Sequence, residues 1–458
     1  MLKLLFTSII FFGGYPEAYA QKGLPAFGKV DKADLEMTDC DFDKGASEVV
    51  LIDYGNTYYD RGTVGYSTLK TVFEKRTRIK ILKEKGIEQA DIRIPYYTKN
   101  NEEKIYKLNA NTYNLDESGK VKVTEVKKSS IYSKRIDATH SVMIITFPEV
   151  KVGSIIEYSY SLDRETIYVK DWYFQGRIPV RYSEYQLKIP QVFRFTILPN
   201  IVDPIEDKQD VITETISADE GMIETKVLKS RYIMRNLVGI KDEPFMGSAK
   251  DYMQRIEFQL SQIDYGSRTV DKRVKWSDVI SELNKDENFG QQLEKPIPAA
   301  ASFVEQAKQI ADAESRMKYI FDRLRKELTW NDDDGIYADN GIIKAWETKT
   351  GNAADINLLL VKLLTDAGLK VRPILLSSRD NGLAAPSYPD EFQFNWIMAY
   401  VGINEKYFVL DATDKIINYR ITPEKVVNTN GFILEGENGR WKEILSGRYR
   451  ATAAMAAL

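Results

Sequence analysis

The stretch Gly351-Asn-Ala-Ala-Asp-Ile-Asn-Leu-Leu-Leu-Val-Lys-Leu-Leu-Thr-Asp-Ala-Gly368 decides the fold of the second half of the chain. Its apolar residues recur at helical spacing and predict a helix with a wide buried face, formed by Ile356, Leu359, Leu360, Leu363, Leu364 and Ala367. Asn352 is a favourable N-cap with Asp355 three residues later, and Gly368 is a favourable stop. Ala353 therefore falls in the first turn of this helix.

The segments around this helix predict a mixed α+β core. Apolar residues at helical spacing precede it, and period-two patterns typical of strands follow it. The predicted elements are helices over 276–283, 302–311 and 314–328, a strand over 371–377, a long loop through 390, and a hairpin over 394–401 and 407–410. The hairpin leads directly into Asp411.

The first half of the chain has the pattern of β-structure. From about residue 49 to 228 it alternates polar and apolar residues and is rich in tyrosine, valine and isoleucine. Short strands separated by turns are typical of an antiparallel β-sandwich. We therefore expect an α+β multidomain protein with an N-terminal antiparallel β-sandwich. The expected divisions are a signal peptide over 1–20, the β-sandwich over 21–240, the core over 241–430, and a C-terminal tail over 431–458 that could begin a further β-domain.

The N-terminus has the features of a secretory signal peptide. Lys3 precedes a short apolar run over residues 4–12, and Ala18-Tyr19-Ala20 fits the small-x-small cleavage pattern. The run is shorter than the about 20 residues that a membrane-spanning helix needs. We therefore expect cleavage near Ala20 and Gln21, no transmembrane segment, and a mature protein that is periplasmic or secreted.

Composition excludes several classes of function. Among 458 residues, 64 Lys and Arg nearly balance 67 Asp and Glu, so the positive charge typical of nucleic-acid-binding proteins is missing. One cysteine, Cys40, and one histidine, His140, leave no intramolecular disulfide and no Cys/His zinc site. We expect no metal and no cofactor. We interpret Cys40, which lies among aspartates, as an incidental thiol and His140 as a structural residue.

The acidic loop over residues 331–335, Asn-Asp-Asp-Asp-Gly, is a candidate calcium-binding loop. Counting back from Gly335 puts Trp330 where an EF-hand loop has its first carboxylate. This mismatch favours a solvated loop over a calcium site.

The order of helix, strand, loop and hairpin resembles the transglutaminase-like core, a branch of the papain-like cysteine fold. The whole chain resembles bacterial proteins, closest to those from the Bacteroidota, in which an N-terminal β-domain of unknown function precedes such a core. The segments that carry the resemblance are 147–158 and 171–174 in the β-domain, and 352–376 and 394–414 in the core. The resemblance implies a transglutaminase-like, papain-like fold for residues 241–430.

The resemblance also implies where a catalytic triad would lie. In active members a cysteine in the first turn of the helix is the nucleophile, a histidine on the hairpin carries the proton, and an aspartate orients the imidazole. Carried over by position, these roles fall on Ala353, Trp396 and Asp411. Alanine has no nucleophile and indole accepts no proton. The resemblance therefore implies a pseudoenzyme in which no catalytic residue is expected.

A groove without its nucleophile could still bind a ligand. The candidate groove residues are Trp330, Asn352, Asp355, Asn357, Asn395 and Trp396. Each also has a plainer interpretation: Trp396 fills the volume that the triad vacated, Asp355 caps the helix, and Asn357 makes structural hydrogen bonds.

Three hypotheses about function remain at this point. The first is an exported, catalytically inactive transglutaminase-like protein that binds an envelope protein, peptide or glycan. The second is a hydrolase or amidase of the same fold with a hydroxyl nucleophile, for which Thr350, Ser377 and Ser378 are candidates and a lysine or carboxylate would be the base. The third is a pure structural scaffold whose β-domain makes the contacts.

Overall fold

A computed structural model describes residues 24–62, 69–136, 140–218, 221–243, 246–266, 268–427 and 429–445. The expected signal peptide and the end of the expected tail lie outside these described residues. The chain divides into two compact units. The N-terminal unit comprises Met1–Gln191 and Ile201–Gly239, and the second unit comprises Val192–Asn200 and Ile240–Leu458.

Strands dominate the first half of the described chain, as the alternating sequence predicts. These strands are β1 (Glu48–Arg61), β2 (Leu69–Ile81), β3 (Asp91–Tyr97), β4 (Glu103–Leu115), β5 (Val121–Glu125), β6 (Ile131–Arg135), β7 (His140–Thr146), β8 (Ile155–Arg164), β9 (Trp172–Tyr173), β10 (Val180–Pro190), β11 (Phe193–Asn200), β12 (Glu206–Ala218) and β13 (Gly221–Leu237). A short helix, α1 (Lys32–Glu36), precedes them.

Most strands of the N-terminal unit form one large sheet. Its eight strands lie in the order β12-β13-β10-β1-β2-β8-β4-β5, and a separate sheet has the order β3-β7-β6. The expectation of an antiparallel sandwich needs correction, because β1 and β10 pair in parallel and eight strands are gathered in one sheet. Alternation predicts strands but carries no information about which distant strands pair, so the sequence could not reveal this topology.

The polar face of β2 is covered by the segment that precedes β1. Arg76, Arg78 and Lys80 alternate along the strand and project to the same face. Arg76 donates a hydrogen bond to the carbonyl oxygen of Pro25 at 2.5 Å, and Arg78 donates one to that of Lys29 at 2.8 Å. Lys80, which is fully buried, donates to the carbonyl oxygens of Leu35 at 2.5 Å and Gly153 at 2.7 Å. These contacts fix the segment against the sheet.

We expect Lys80 to give the N-terminal unit an unusual dependence on pH. Burial lowers the pKa of Lys80 to about 8, compared with about 10.4 for lysine in an unfolded chain. Between these values the unfolded state binds more protons, so the free energy of unfolding rises with pH. The stability of the native protein relative to a Lys80→Met variant should therefore rise from about pH 8 to about pH 10. Urea denaturation across this range measures it, and a constant difference would contradict it.

The second unit contains most of the helices. Its helices are α2 (Ala249–Tyr252), α3 (Trp276–Lys285), α4 (Gly290–Glu294), α5 (Ala301–Lys308), α6 (Ala313–Glu327), α7 (Ile342–Thr348) and α8 (Ala353–Asp366). Besides β11, its strands are β14 (Arg255–Asp264), β15 (Thr269–Asp271), β16 (Thr329–Trp330), β17 (Thr350–Gly351), β18 (Lys370–Leu376), β19 (Trp396–Ile403), β20 (Lys406–Leu410), β21 (Thr429–Ile433) and β22 (Arg440–Ile444). The predicted helix over 352–368 and the strands that follow it are confirmed.

Helix α8 is the centre of this unit. Its sequence is apolar almost all round, which is typical of a helix buried on every side, and it packs in one core with α3, α5 and α6. Gly368 ends it with a left-handed backbone (φ +80°), a conformation that costs glycine little. The five-stranded sheet β20-β19-β18-β21-β22 contacts α8 through β18 and β19.

The end of the chain also departs from expectation. Residues 431–458 were expected to be a tail, but β21 and β22 are the last two strands of the five-stranded sheet. Phe432 of β21 is fully buried and packs in the core that contains α8.

In the part of the chain that the structure describes, no helix is both long and apolar enough to cross a membrane.

Candidate functional site

The first turn of α8 is fixed by a complete set of cap hydrogen bonds. The Asn352 side chain accepts a hydrogen bond from the Asp355 amide at 2.7 Å, and the Asp355 carboxylate accepts one from the Asn352 amide at 3.1 Å. Asp355 also accepts one from the Gly341 amide at 2.7 Å. Asn352 is 2% exposed and Asp355 is fully buried. Both side chains are thus committed to the helix end and the loop beside it.

Ala353 is fully buried, and its amide is already bonded. The amide donates to the carbonyl oxygen of Asp333 in the acidic loop at 3.0 Å. An amide at the nucleophile position is a usual oxyanion donor in acyl transfer, and it must be free to act as one. In this arrangement Ala353 supplies neither a nucleophile nor a free oxyanion donor.

Asp411 lies at the end of β20 and is 3% exposed. The Trp396 indole donates from Nε1 to Asp411 Oδ2 at 3.0 Å. Three further donors bond to Asp411 Oδ1: Asn357 Nδ2 at 3.0 Å, the Thr413 amide at 3.0 Å and the Thr413 hydroxyl at 2.7 Å. The carboxylate therefore accepts four hydrogen bonds in a buried place, which is how a buried charge is stabilised.

Asn357, on α8, ties the helix to the hairpin. Its Nδ2 also donates to the carbonyl oxygen of Ile397 at 2.9 Å, and its Oδ1 accepts from the Ala412 amide at 2.9 Å. The side chain is fully buried. These bonds agree with the structural interpretation of Asn357 rather than with contact to a ligand.

Trp396 is 1% exposed and is enclosed by its neighbours. It shares a buried cluster with Ala353, Met398 and other residues of the sheet. The Trp330 ring meets it edge to face at 5.4 Å between centroids, and the Lys425 ammonium lies 3.5 Å from the centre of its ring. This burial favours the interpretation of Trp396 as a packing residue over that of a ligand platform. The sequence did not predict that Lys425 lies over the Trp396 ring.

Of the six candidate groove residues, two are partly exposed: Trp330 and Asn395. The Trp330 indole donates to the carbonyl oxygen of Asp333 at 2.9 Å. The Asn395 amide group donates to Ser378 Oγ at 2.9 Å, and its Oδ1 accepts from the Ser378 amide at 2.8 Å. The structure thus brings the candidates together around α8 but leaves little of them open to a ligand.

The three hydroxyl candidates have no basic partner in the contacts of the described residues. Ser377 Oγ donates to the carbonyl oxygen of Gly382 at 2.5 Å and is 1% exposed. Ser378 Oγ bonds to Asn395, an amide. Thr350 Oγ1 donates to the carbonyl oxygen of Thr329 at 3.0 Å. A hydroxyl nucleophile needs a base within hydrogen-bond reach.

Cys40 and His140 belong to the N-terminal unit, whereas Asp411 belongs to the second. Cys40 is fully buried, and burial raises the pKa of its thiol, which disfavours the reactive thiolate. His140 begins β7 and meets the Tyr97 ring edge to face at 5.4 Å. Among the described residues, no group of three or more His, Cys, Asp or Glu side chains could hold a metal ion.

Comparison with known proteins identifies one domain in the sequence and a solved structure with a similar fold. Residues 68–216 match DUF3857, a domain of unknown function. Nineteen chains of known structure match this chain. One of them, from Parabacteroides distasonis, is described as a "putative protease". Its TM-score is 0.58 at 11% sequence identity, and the match covers 88% of this chain and 72% of that one. No curated protein matches the sequence. The chain therefore contains a DUF3857 domain and shares its mixed α+β fold with a protein from the Bacteroidota.

Proposed function

We propose that this chain is an exported, catalytically inactive transglutaminase-like protein that binds a polypeptide or glycan of the cell envelope. The hydrogen bond from Trp396 to Asp411 carries the proposal. In a working triad an imidazole bonds to that carboxylate and exchanges a proton with the nucleophile. An indole N–H can donate but cannot take up a proton, so proton transfer has no carrier at this position.

The surroundings of Ala353 support the same proposal. A methyl side chain replaces the thiol, and the backbone amide is bonded to Asp333. The nucleophile and the base are thus missing at the positions where the resemblance implies them, and the Ala353 amide is occupied by a hydrogen bond. Because four of the six candidate groove residues are at most 2% exposed, we place the partner-binding surface outside the triad positions.

A hydrolase with a hydroxyl nucleophile is the alternative function. Ser378 is its best candidate, because its Oγ is bonded to a side chain rather than to a carbonyl oxygen and the residue is 8% exposed, compared with 1% for Ser377. Its partner Asn395 is an amide and cannot act as a general base. The hydrogen bonds around Ser378 therefore disfavour this alternative.

Covalent labelling tests the inactive-core proposal against the hydrolase. We expect a fluorophosphonate probe, which labels activated serines, to leave Thr350, Ser377 and Ser378 unmodified in the native mature protein. Peptide mass spectrometry of the treated protein measures the modification, with an active serine hydrolase treated in parallel. Labelling of Ser378 that a Ser378→Ala variant abolishes would replace the proposal with the alternative.

A further inference from the structure

A cleft of the N-terminal unit lies on a face of the eight-stranded sheet. Its volume is about 710 Å³. Leu24 is one of its lining residues, and the segment that follows Leu24 covers the same face of the sheet over Arg78 and Lys80. We call this cleft the trough; its lining residues come from the strands β13, β10, β1, β2, β8 and β4.

The trough runs across the strands rather than along them. The six strands are consecutive in the sheet order, so at about 4.8 Å per strand the trough extends for about 24 Å. One row of cross-strand neighbours illustrates its course: Glu184 lies beside Tyr54, Tyr54 beside Arg76, Arg76 beside Ser159, and Ser159 beside Asn109. A site this long fits a chain molecule better than a compact metabolite.

Glu74 lies in the next row of the trough with unused capacity to accept hydrogen bonds. Its carboxylate accepts from Asn56 Nδ2 at 3.0 Å and from the Tyr58 hydroxyl at 3.4 Å. Within the described residues no cation lies within 4 Å of it. Burial and the neighbouring carboxylate raise the pKa of Tyr58 to about 12, so its hydroxyl keeps its proton. The floor of the trough thus offers fixed acceptors and donors side by side.

The charge of the trough is predominantly positive. Arg76, Lys107, Lys229 and Arg231 line it, against the carboxylates of Glu74 and Glu184. Two of these cations have carboxylate partners: Arg76 with Glu157, and Arg231 with Glu184. For the exposed lysines at 107 and 229, no carboxylate within 4 Å is found in the described part of the chain. An anionic ligand would complement them.

Lys107 is placed by an irregularity of β4. The pairing of β4 with β8 shifts register between Tyr106 and Asn109, and Lys107 has a left-handed backbone (φ +50°). Such a conformation is unfavourable for a residue with a side chain, and bulges of this kind often redirect a side chain at a binding site. Here the bulge brings the Lys107 cation to the end of the trough.

The position of the trough on a sheet face favours a glycan over a peptide as its ligand. The central strands of the trough are paired on both sides, so their backbone N–H and C=O groups are already used. An extended peptide relies on backbone hydrogen bonds that a sheet edge offers and a sheet face does not. Sugar hydroxyls are instead satisfied by side-chain amides, hydroxyls and carboxylates, which are the groups present at Asn109, Ser159 and Glu74.

We propose that the trough binds an oligosaccharide that carries carboxylate groups, with the sugar hydroxyls on the polar row and the carboxylates near Lys107 and Lys229. This inference rests on the binding role in the proposed function and adds its site and ligand class. It does not depend on whether the second unit is inactive.

Calorimetric titration of the mature protein tests the proposal with three probes: hexagalacturonate, an acidic glycan; maltohexaose, a neutral one; and hexaglutamate, an acidic peptide. We expect hexagalacturonate to bind, and a Lys107→Ala/Lys229→Ala variant to weaken it by about tenfold or more. Added salt should weaken it as well, because the cations are exposed. The matched control is Lys134→Ala/Lys226→Ala, two exposed lysines outside the trough, which should bind as the native protein does.

Four results would overturn the proposal: no binding of hexagalacturonate, equal binding by the Lys107→Ala/Lys229→Ala variant, equal binding of maltohexaose, or tighter binding of hexaglutamate. Amide turnover by the second unit would contradict the inactive-core proposal and leave these titrations unaffected, so the two failures are distinguishable.

Discussion

Replacing Asp411 with alanine is expected to destabilise the second unit by about 3–5 kcal/mol. The substitution removes a buried carboxylate that accepts four hydrogen bonds, and it leaves donors on Trp396, Asn357 and Thr413 without a partner. Each buried donor without an acceptor costs about 1–3 kcal/mol, and neighbouring losses do not add fully. Urea denaturation, with hydrogen exchange to assign the transition to this unit, measures the loss.

Asp414 provides the matched control for this prediction. It lies three residues later in a turn, where its carboxylate accepts hydrogen bonds from the Ile416 and Ile417 amides. Because it is partly exposed, water can replace the lost contacts, and Asp414→Ala should cost about 1 kcal/mol or less. Equal effects of the two substitutions would mean that the Asp411 hydrogen bonds do not stabilise the hairpin as described.

Replacing Glu157 with alanine is expected to destabilise the N-terminal unit by about 3–5 kcal/mol. Glu157 is fully buried on β8 and bonds to Arg76 at 2.7 Å and to Arg78 at 3.0 Å. Its other oxygen accepts from the Tyr113 hydroxyl at 2.9 Å and the Gly28 amide at 3.0 Å. Its removal takes away the carboxylate that pairs with both guanidinium groups, one of which is 1% exposed. Hydrogen exchange of β2 and β8 measures the effect.

A Glu157→Gln variant separates charge from shape. It keeps the side-chain volume and can still accept hydrogen bonds, so it should destabilise the unit less than Glu157→Ala does. The exposed Lys122 and Glu149 pair provides the contrast, because Glu149→Ala at the surface should cost about 1 kcal/mol or less. A loss from Glu157→Ala no larger than that from Glu149→Ala would contradict the account of this network.

Local patterns predicted the second unit well because its central elements are defined by short-range signals. The cap at Asn352, the apolar spacing of α8 and the stop at Gly368 are all contained in eighteen residues, and the structure has each of them. The order of strand, loop and hairpin likewise needs no long-range information. The burial of Trp396 did need it, because the rings and cation that enclose it come from Trp330 and Lys425.

The N-terminal unit was harder to predict because its contacts join distant residues. Arg76, Arg78 and Lys80 occupy alternate positions, and this pattern predicts a strand with one face exposed to solvent. In the structure that face is covered by the segment before β1, and the acid that pairs with the two arginines lies 81 and 79 positions away. Three cations at alternate positions are a signal for such a covered face, yet the sequence alone does not identify the partner.

The most direct test of the central claim is amide turnover by the native mature protein. Ammonia or amine release from glutamine-containing peptides and peptide amides would be followed for the native protein and for Asp411→Asn, which keeps the side-chain volume. We predict release at the rate of the buffer blank for both proteins. The claim that this core is inactive would be contradicted if the native protein released ammonia or amine, if this activity co-purified with the protein, and if Asp411→Asn lacked it.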